Sequence, residues 1–218
     1  MKIAVISATK VSIGPVDLAA KQYPDLEVFH LMDEGMSYLG KKEGKISQTN
    51  MDRMKRLIGS AEELCVDGIL LSCTIFSPFI DELEAYADVP LVAADIGVFE
   101  KAASLYNHIG AVVTFAPTMK SVSWVVERCQ KRVNPDFDAE LILSEEAFAA
   151  AAAGDDEAHN RAIWKAVTSF SDKEAVVLSQ MSQMRALPLF DTYPVPVLAS
   201  PPVSLGLLIE RITGKEKD

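Results

Sequence analysis

Ile69-Leu70-Leu71-Ser72-Cys73-Thr74-Ile75-Phe76-Ser77-Pro78 is an apolar run that stops at a cysteine and passes through hydroxyl residues into a helix start. Asp67-Gly68 precedes it, so the run reads as a buried parallel strand, and Ser77-Pro78 reads as an N-cap followed by a first helical residue. Cys73 and Thr74 then occupy the strand-to-helix turn. In an open α/β sheet such turns line the crevice beyond the carboxyl ends of the strands, where ligands bind. Orphan N–H groups near a helix start favour a thiolate and any bound anion. A free cysteine can equally be a core residue that fills space.

The pattern occurs twice. Leu70-Leu71-Ser72-Cys73-Thr74 aligns with Val177-Leu178-Ser179-Gln180-Met181, an offset of 107 residues from Cys73 to Gln180. Val89-Pro90-Leu91-Val92-Ala93-Ala94 aligns with Val195-Pro196-Val197-Leu198-Ala199-Ser200 at 106, and Ala4-Val5-Ile6-Ser7 with Ala111-Val112-Val113-Thr114 at 107. Three blocks at offsets of 106 or 107, close to half the chain, imply a duplicated α/β unit. The expectation is two similar units with mainly parallel sheets, related by a pseudo-two-fold, and a ligand cleft between them. Residues 1–97 plus 201–218 would form the first unit and 98–200 the second. Cys73 would face Gln180 across the cleft, and Ser7 would face Thr114.

Composition bounds the function. The 218 residues are 49% hydrophobic, enough for a sizeable core. A formal charge of −10 without a basic run argues against nucleic acid or an anionic membrane as partner. Cys65, Cys73 and Cys129 form no C-x-x-C motif, and an odd count suits reduced thiols. Ile3 to Ile6 is too short for a signal-peptide core, and no stretch reaches the roughly 20 apolar residues of a membrane span. These features point to a cytoplasmic protein.

Other stretches add detail. The first strand ends at Ser7-Ala8-Thr9, with Ser12 just beyond, and such hydroxyl-bearing turns suit a carboxylate or phosphate. Neither G-x-G-x-x-G nor a P-loop is present, so a nucleotide fold is not supported. Gly35, Gly40 and Gly44 interleaved with lysines read as a connecting loop, either a lid or an ordinary solvated link. Met51, Met54, Leu57, Ile58, Ala61 and Leu64 mark an amphipathic helix ending at Cys65, which reads as a packing residue, as does Cys129. Asp95 could touch a ligand or cap the helix that follows. His30, His108 and His159 are isolated, so a catalytic metal is not expected. A final helix over 204–212 would return to cover the first unit, leaving a charged tail over 214–218.

The Leu71-Ser72-Cys73-Thr74 turn, the opening strand ending in Ser7-Ala8-Thr9, the paired Val-Pro strands, and Thr114 with Thr118 resemble the aspartate/glutamate/hydantoin racemase superfamily. The resemblance spans nearly the whole chain. It implies two similar α/β units with the ligand between them, a homodimer, and no metal or organic cofactor. It also implies one cysteine per unit, one removing the proton next to a carboxylate and the other returning a proton on the opposite face. Cys73 matches the first cysteine; Gln180 stands at the second, with Met181-Ser182 after it. An amide neither gives nor takes protons near neutral pH. The resemblance therefore implies an enzyme acting at the carbon next to a carboxylate of a small acid, with Cys73 as thiolate base or nucleophile. Its pKa would be lowered by the turn, and it would be labelled ahead of Cys65 and Cys129. Ser7, Thr9, Thr74, Thr114, Thr118 and Ser182 would hold the anion. The alternatives are a one-cysteine lyase or decarboxylase, a maleate-isomerase-like enzyme, and a non-catalytic small-acid-binding protein.

Overall fold

Eight apolar runs become eight strands. In the computed structural model, which describes residues 1–214, β1 (Lys2–Ser7), β2 (Glu27–Met32), β3 (Gly68–Leu71) and β4 (Leu91–Ala93) form one sheet. β5 (His108–Val113), β6 (Asp138–Leu143), β7 (Ala175–Leu178) and β8 (Val197–Ala199) form the other. The spatial orders are β2-β1-β3-β4 and β6-β5-β7-β8, the same topology twice, and every pairing is parallel. β3 and β7 are buried along their whole length, as central strands covered on both faces must be. The duplicated α/β architecture read from the three aligned blocks is the one observed.

Register refines the alignment by one residue. Ile6 pairs with Leu71 in the first sheet and Val112 with Leu178 in the second. Ser72 and Ser179, at matched positions, donate to the carbonyls of Ile6 and Val112 respectively. Val113 is thus the counterpart of Ser7, and Thr114 the counterpart of Ala8. The expected pairing of Ser7 with Thr114 is corrected: both strands end in a hydroxyl residue, but pairing with β3 and β7 sets the register, one step away from the sequence match.

The helices are α1 (Ile13–Ala20), α2 (Glu34–Glu43), α3 (Gln48–Glu63), α4 (Ile80–Tyr86), α5 (Ala94–Leu105), α6 (Met119–Arg132), α7 (Glu145–Ala153), α8 (Asp156–Thr168) and α9 (Ser200–Thr213). α2 replaces the loop expected around Gly35 and Gly40. Asp33 caps it by accepting the Gly35 N–H at 2.9 Å, Lys41 and Lys42 complement its C-terminal dipole, and Gly44 ends it in the left-handed region (φ 65°). Gly35 is not a flexibility signal, because a Cβ there would meet the Arg53 guanidinium at 2.5 Å. Ser77 is not an N-cap either: Cys73 caps a 3-10 segment, Thr74–Phe79, and α4 starts only at Ile80. Cys65, read as a packing residue, is exposed at φ 54° past the end of α3, while Val66 does the packing. Cys129 is buried as expected. The tail expected over 214–218 lies, beyond Gly214, outside the described residues.

The two units share their core. Side chains of both sheets enter each of the two buried clusters. α9 returns onto β3, β4 and α1 of the first unit, and α5 packs lengthwise against α9. At that crossing Ser200 Oγ donates to the Ala94 carbonyl at 2.8 Å, and Ser204 Oγ donates to the same oxygen. Gly97 makes the close approach possible, since a Cβ there would lie 2.8 Å from Ser204 Oγ and 3.3 Å from its Cα. Gly97→Ala should therefore destabilise: the added methyl meets backbone, costing about 1–3 kcal/mol of overpacking against about 1 kcal/mol of gained helix propensity. A lowered denaturant midpoint with unchanged m-value is the expected result; a raised midpoint would show that the crossing has slack.

Candidate active site

Each unit presents the turns after its first and third strands at the carboxyl edge of its sheet, and the 3-10 turn after β1 (Lys10–Ser12) contacts the one after β7 (Met181–Phe190). α6 packs on the 3-10 segment after β3, while α1 packs on the 3-10 segment Met181–Phe190 after β7. The two seams place Cys73 and Gln180 at equivalent points of the duplicated fold.

Cys73 is half-buried. The backbone N–H groups of Ile75 and Ala8 are aimed at its sulfur and favour the thiolate, as the turn argument requires. They do not prevail. Desolvation raises the thiol, the negative charge of Asp95 adds to the rise, and together they push it up to about 12. The lowered pKa expected from the turn is corrected: a helix start supplies donors, but packing has removed water from the same sulfur. α2 contributes to that cover. Its Ser37 Oγ donates to the carbonyl of Ala8 at 2.9 Å, and its Gly40 lies against Ile75.

Gln180 occupies the corresponding niche. Its Oε1 accepts the Thr114 N–H at 2.6 Å and the Thr114 hydroxyl at 2.7 Å, and its Nε2 donates to Thr118 Oγ1 at 3.2 Å. The Thr114 N–H is the counterpart of the Ala8 N–H aimed at Cys73, so one conserved geometry of the fold serves a sulfur in one unit and an amide oxygen in the other. Because a backbone N–H can only donate, the orientation of this amide is settled. Gln183 completes the turn, accepting the Gln180 N–H at 2.9 Å and donating to the Val112 carbonyl at 3.0 Å.

The hydroxyl residues divide. Thr114 and Thr118 belong to the Gln180 network, and Thr118 also donates to the Phe115 carbonyl at 2.7 Å. Thr74 heads the 3-10 segment beside Cys73, half-buried. Ser182 is half-buried in the second turn, where its carbonyl accepts the Arg185 Nε at 3.0 Å. Thr9 is exposed in the first turn. Ser7 is committed elsewhere: its buried hydroxyl is shared with Ser12 and Ser72, each at 2.8 Å.

Two residues that the motif reading undervalued lie close by. Asp95, read from the sequence as either a ligand contact or a cap, is 3% exposed, and Ser77, wholly buried, donates to both of its carboxylate oxygens at 2.8 and 2.6 Å. Desolvation pushes Asp95 up to about 6, opposed by the Ser77 hydrogen bond and by backbone N–H groups. The signal in the sequence was a carboxylate directly after the apolar strand Leu91–Ala93, on a helix whose N-cap is alanine. At the other seam a cavity of about 240 Å³ lies between Gly14, Pro15 and Leu18 of α1 and Met184 and Arg185, where Arg185 pairs with Asp156. Neither Cys73 nor Gln180 lines it. No cluster of three or more His, Cys, Asp or Glu arranged for a metal occurs among the described residues, and no described helix is long and apolar enough to cross a membrane.

No protein-family model matches the sequence, and no curated protein does so significantly. Solved structures match over essentially the full length. An aspartate racemase homologue from Pyrococcus horikoshii superposes with a TM-score of 0.74 at 15% identity, covering 97% of this chain and 99% of its own. Allantoin racemase from Klebsiella pneumoniae gives 0.72 at 15% identity, covering 98% and 88%. A variant of arylmalonate decarboxylase gives 0.62 at 17% identity, covering 100% and 95%. Two all-parallel four-stranded sheets of identical topology give this chain the fold seen in these racemase and decarboxylase structures.

Proposed function

We propose that the protein is a cofactor-independent enzyme acting at the carbon next to a carboxylate of a small acid, with Cys73 as its one acid–base thiol. The observation that carries this reading is the asymmetric pair of turns: a sulfur and a fixed amide occupy matched niches, each addressed by the backbone N–H that follows its unit's first strand. The racemase-like fold supports the reaction class.

The residues have distinct tasks in this scheme. Gln180 spends Oε1 on Thr114 and one Nε2 hydrogen on Thr118, which leaves its second Nε2–H as a donor toward a bound carboxylate. Thr74 and Ser182 supply further hydroxyls, while Ser7 supports the turn from beneath. Donors fixed before the substrate arrives stabilise the negative charge of an enediolate without reorganising. Cys73, as a protonated thiol, is suited to deliver a proton to that enediolate. This favours the one-cysteine lyase or decarboxylase variant over two-thiol racemisation. In a decarboxylation, the electrons of the breaking C–C bond stay on the α-carbon as CO2 leaves, the Cys73 S–H proton bonds to that carbon, and water reprotonates the thiolate. Action as base or nucleophile would require the thiol to be ionised first, which its surroundings oppose. A homodimer in the cytoplasm completes the proposal, resting on the superfamily resemblance and on the odd cysteine count. Light scattering at micromolar concentration should return twice the 23.7 kDa chain mass.

The desolvated thiol reverses the order of labelling expected from the turn. N-ethylmaleimide near neutral pH should modify exposed Cys65 well before Cys73, with buried Cys129 last. Labelling of Cys73 first would mean that its sulfur is open and ionised.

Activity tests follow from the single thiol. Wild type should not racemise aspartate or glutamate efficiently, and any exchange of the α-proton of a bound acid in deuterated water should proceed mostly with retention. In a screen of substituted malonic acids and amino acids, Cys73→Ser should lower any turnover by at least about 100-fold, as removal of an acid–base group does. Gln180→Cys should introduce or raise racemisation of an acid the cleft accepts. Rapid loss of optical activity with wild type would defeat the one-thiol reading, and binding of an acid with no turnover of any would leave a small-acid-binding protein.

A further inference from the structure

Asp95 and Ser77 are buried polar residues that the proposed chemistry does not use. They sit on opposite sides of the seam between the 3-10 segment that Cys73 caps and the first turn of α5. Ser77 is wholly buried and its hydroxyl bridges both carboxylate oxygens, so the carboxyl is held in one orientation. Isolating a carboxylate from water is costly, and a structural first-turn acid gains nothing from it.

Comparison of the two units supplies the second observation. β4 and β8 are matched through Ile69↔Leu91 and Val176↔Val197, which makes Pro201 the counterpart of Asp95. Along the turn, Met184 is the counterpart of Ser77. The fold thus builds the same junction from methionine and proline where Gln180 stands, and from serine and aspartate where the thiol stands. The buried acid accompanies the cysteine and is not required by the architecture.

We propose that Asp95, clamped by Ser77, is a positioning residue that governs the protonation of Cys73 through its charge: ionised, it holds the thiol proton in place; protonated, it releases that hold. Among the other ionisable groups on the elements around the turn, Glu34, Lys41, Lys42 and Glu43 of α2 lie on a helix whose Ser37 and Gly40 face the turn, and several acids are paired. Asp81 of α4 pairs with Arg128 and Arg132 of α6, Glu82 with Lys55, and Glu84 and Glu100 with Arg211. Cys129 of α6 is itself pushed up to about 12 by desolvation, then by Glu100, with Asp95 a lesser cause, so it carries no charge near neutrality. Ser77 lies four residues after Cys73 on the same 3-10 segment, so its hydrogen bonds tie the Asp95 carboxylate to the turn that carries the thiol, and the negative charge there opposes ionisation of Cys73. The inference rests on Cys73 being the reactive thiol, but it concerns thiol chemistry and stands or falls without any substrate.

The test is the pH profile of Cys73 alkylation by N-ethylmaleimide from pH 4.5 to 8.5, read by peptide mass, with Cys65 as the internal control. A lone thiol gives a logarithmic rate that rises with unit slope. In wild type the Cys73 line should flatten near pH 6, where Asp95 ionises, and resume about tenfold below its low-pH extrapolation, the fold-change that a pKa difference of about one corresponds to. Asp95→Asn should give a straight line lying above wild type at neutral pH. Ser77→Ala, which removes a donor favouring the carboxylate, should move the break to higher pH, and it carries the test if the asparagine variant fails to fold. A change of access alone would raise the rate equally at every pH. Stability supplies a readout independent of the thiol. A carboxyl raised in the folded state binds protons more tightly there than in the unfolded chain, so its contribution falls as pH rises from about 4 to about 6. That fall should be missing in Asp95→Asn. An unbroken Cys73 line in wild type, or a break that survives Asp95→Asn, would overturn the inference.

Discussion

The carbonyl of Ala94 holds the architecture in register. It follows β4 and begins α5, and it accepts hydroxyls from Ser200 and Ser204, at and just beyond the corresponding junction of the other unit. Two donors on one oxygen, packed over a glycine, let the first turns of α5 and α9 approach closely. The strand ends of both sheets are thereby fixed relative to each other, and the turns that carry Cys73 and Gln180 inherit that placement. A loose crossing here would displace both niches, and displacements of about an ångström already matter for acid–base chemistry.

On this near-symmetric frame the two matched niches hold different side chains. Matched backbone donors meet a thiol in one unit and a glutamine amide in the other. A thiol can exchange a proton, whereas an amide locked by Thr114 and Thr118 can only hold an acceptor. Under the proposed function the duplicated frame would divide into a proton-handling half and an anion-holding half. The Ser77–Asp95 pair is present in the first and replaced by Met184 and Pro201 in the second, which fits that division.

Competing electrostatic effects at Cys73 are resolved by magnitude. Two backbone N–H groups pull the pKa down, and burial with a neighbouring carboxylate pulls it up. Burial wins because dehydration penalises the whole charge of the thiolate, while each hydrogen bond recovers only part of it. A turn motif therefore supplies the position of a reactive group without its protonation state.

The repeated strand–turn pattern was legible in the sequence because buried parallel strands must be continuous apolar runs, and their spacing revealed the duplication, the two sheets and the matched positions of Cys73 and Gln180. Tertiary structure decided what depends on contacts between distant segments. Strand pairing set Thr114 against Ala8 rather than Ser7. Arg53, reaching Asp33 from α3, anchors a helix where glycines suggested a loop. Ser77 looked like a cap because serine before proline so often is, yet its hydroxyl serves a carboxylate 18 residues on. Local pattern encodes which backbone geometry a segment prefers; the dehydration of Cys73 and the burial of Asp95 arise only when α2, α5 and the 3-10 segment close over one another, since solvent exclusion is a property of the assembled packing and of no single segment.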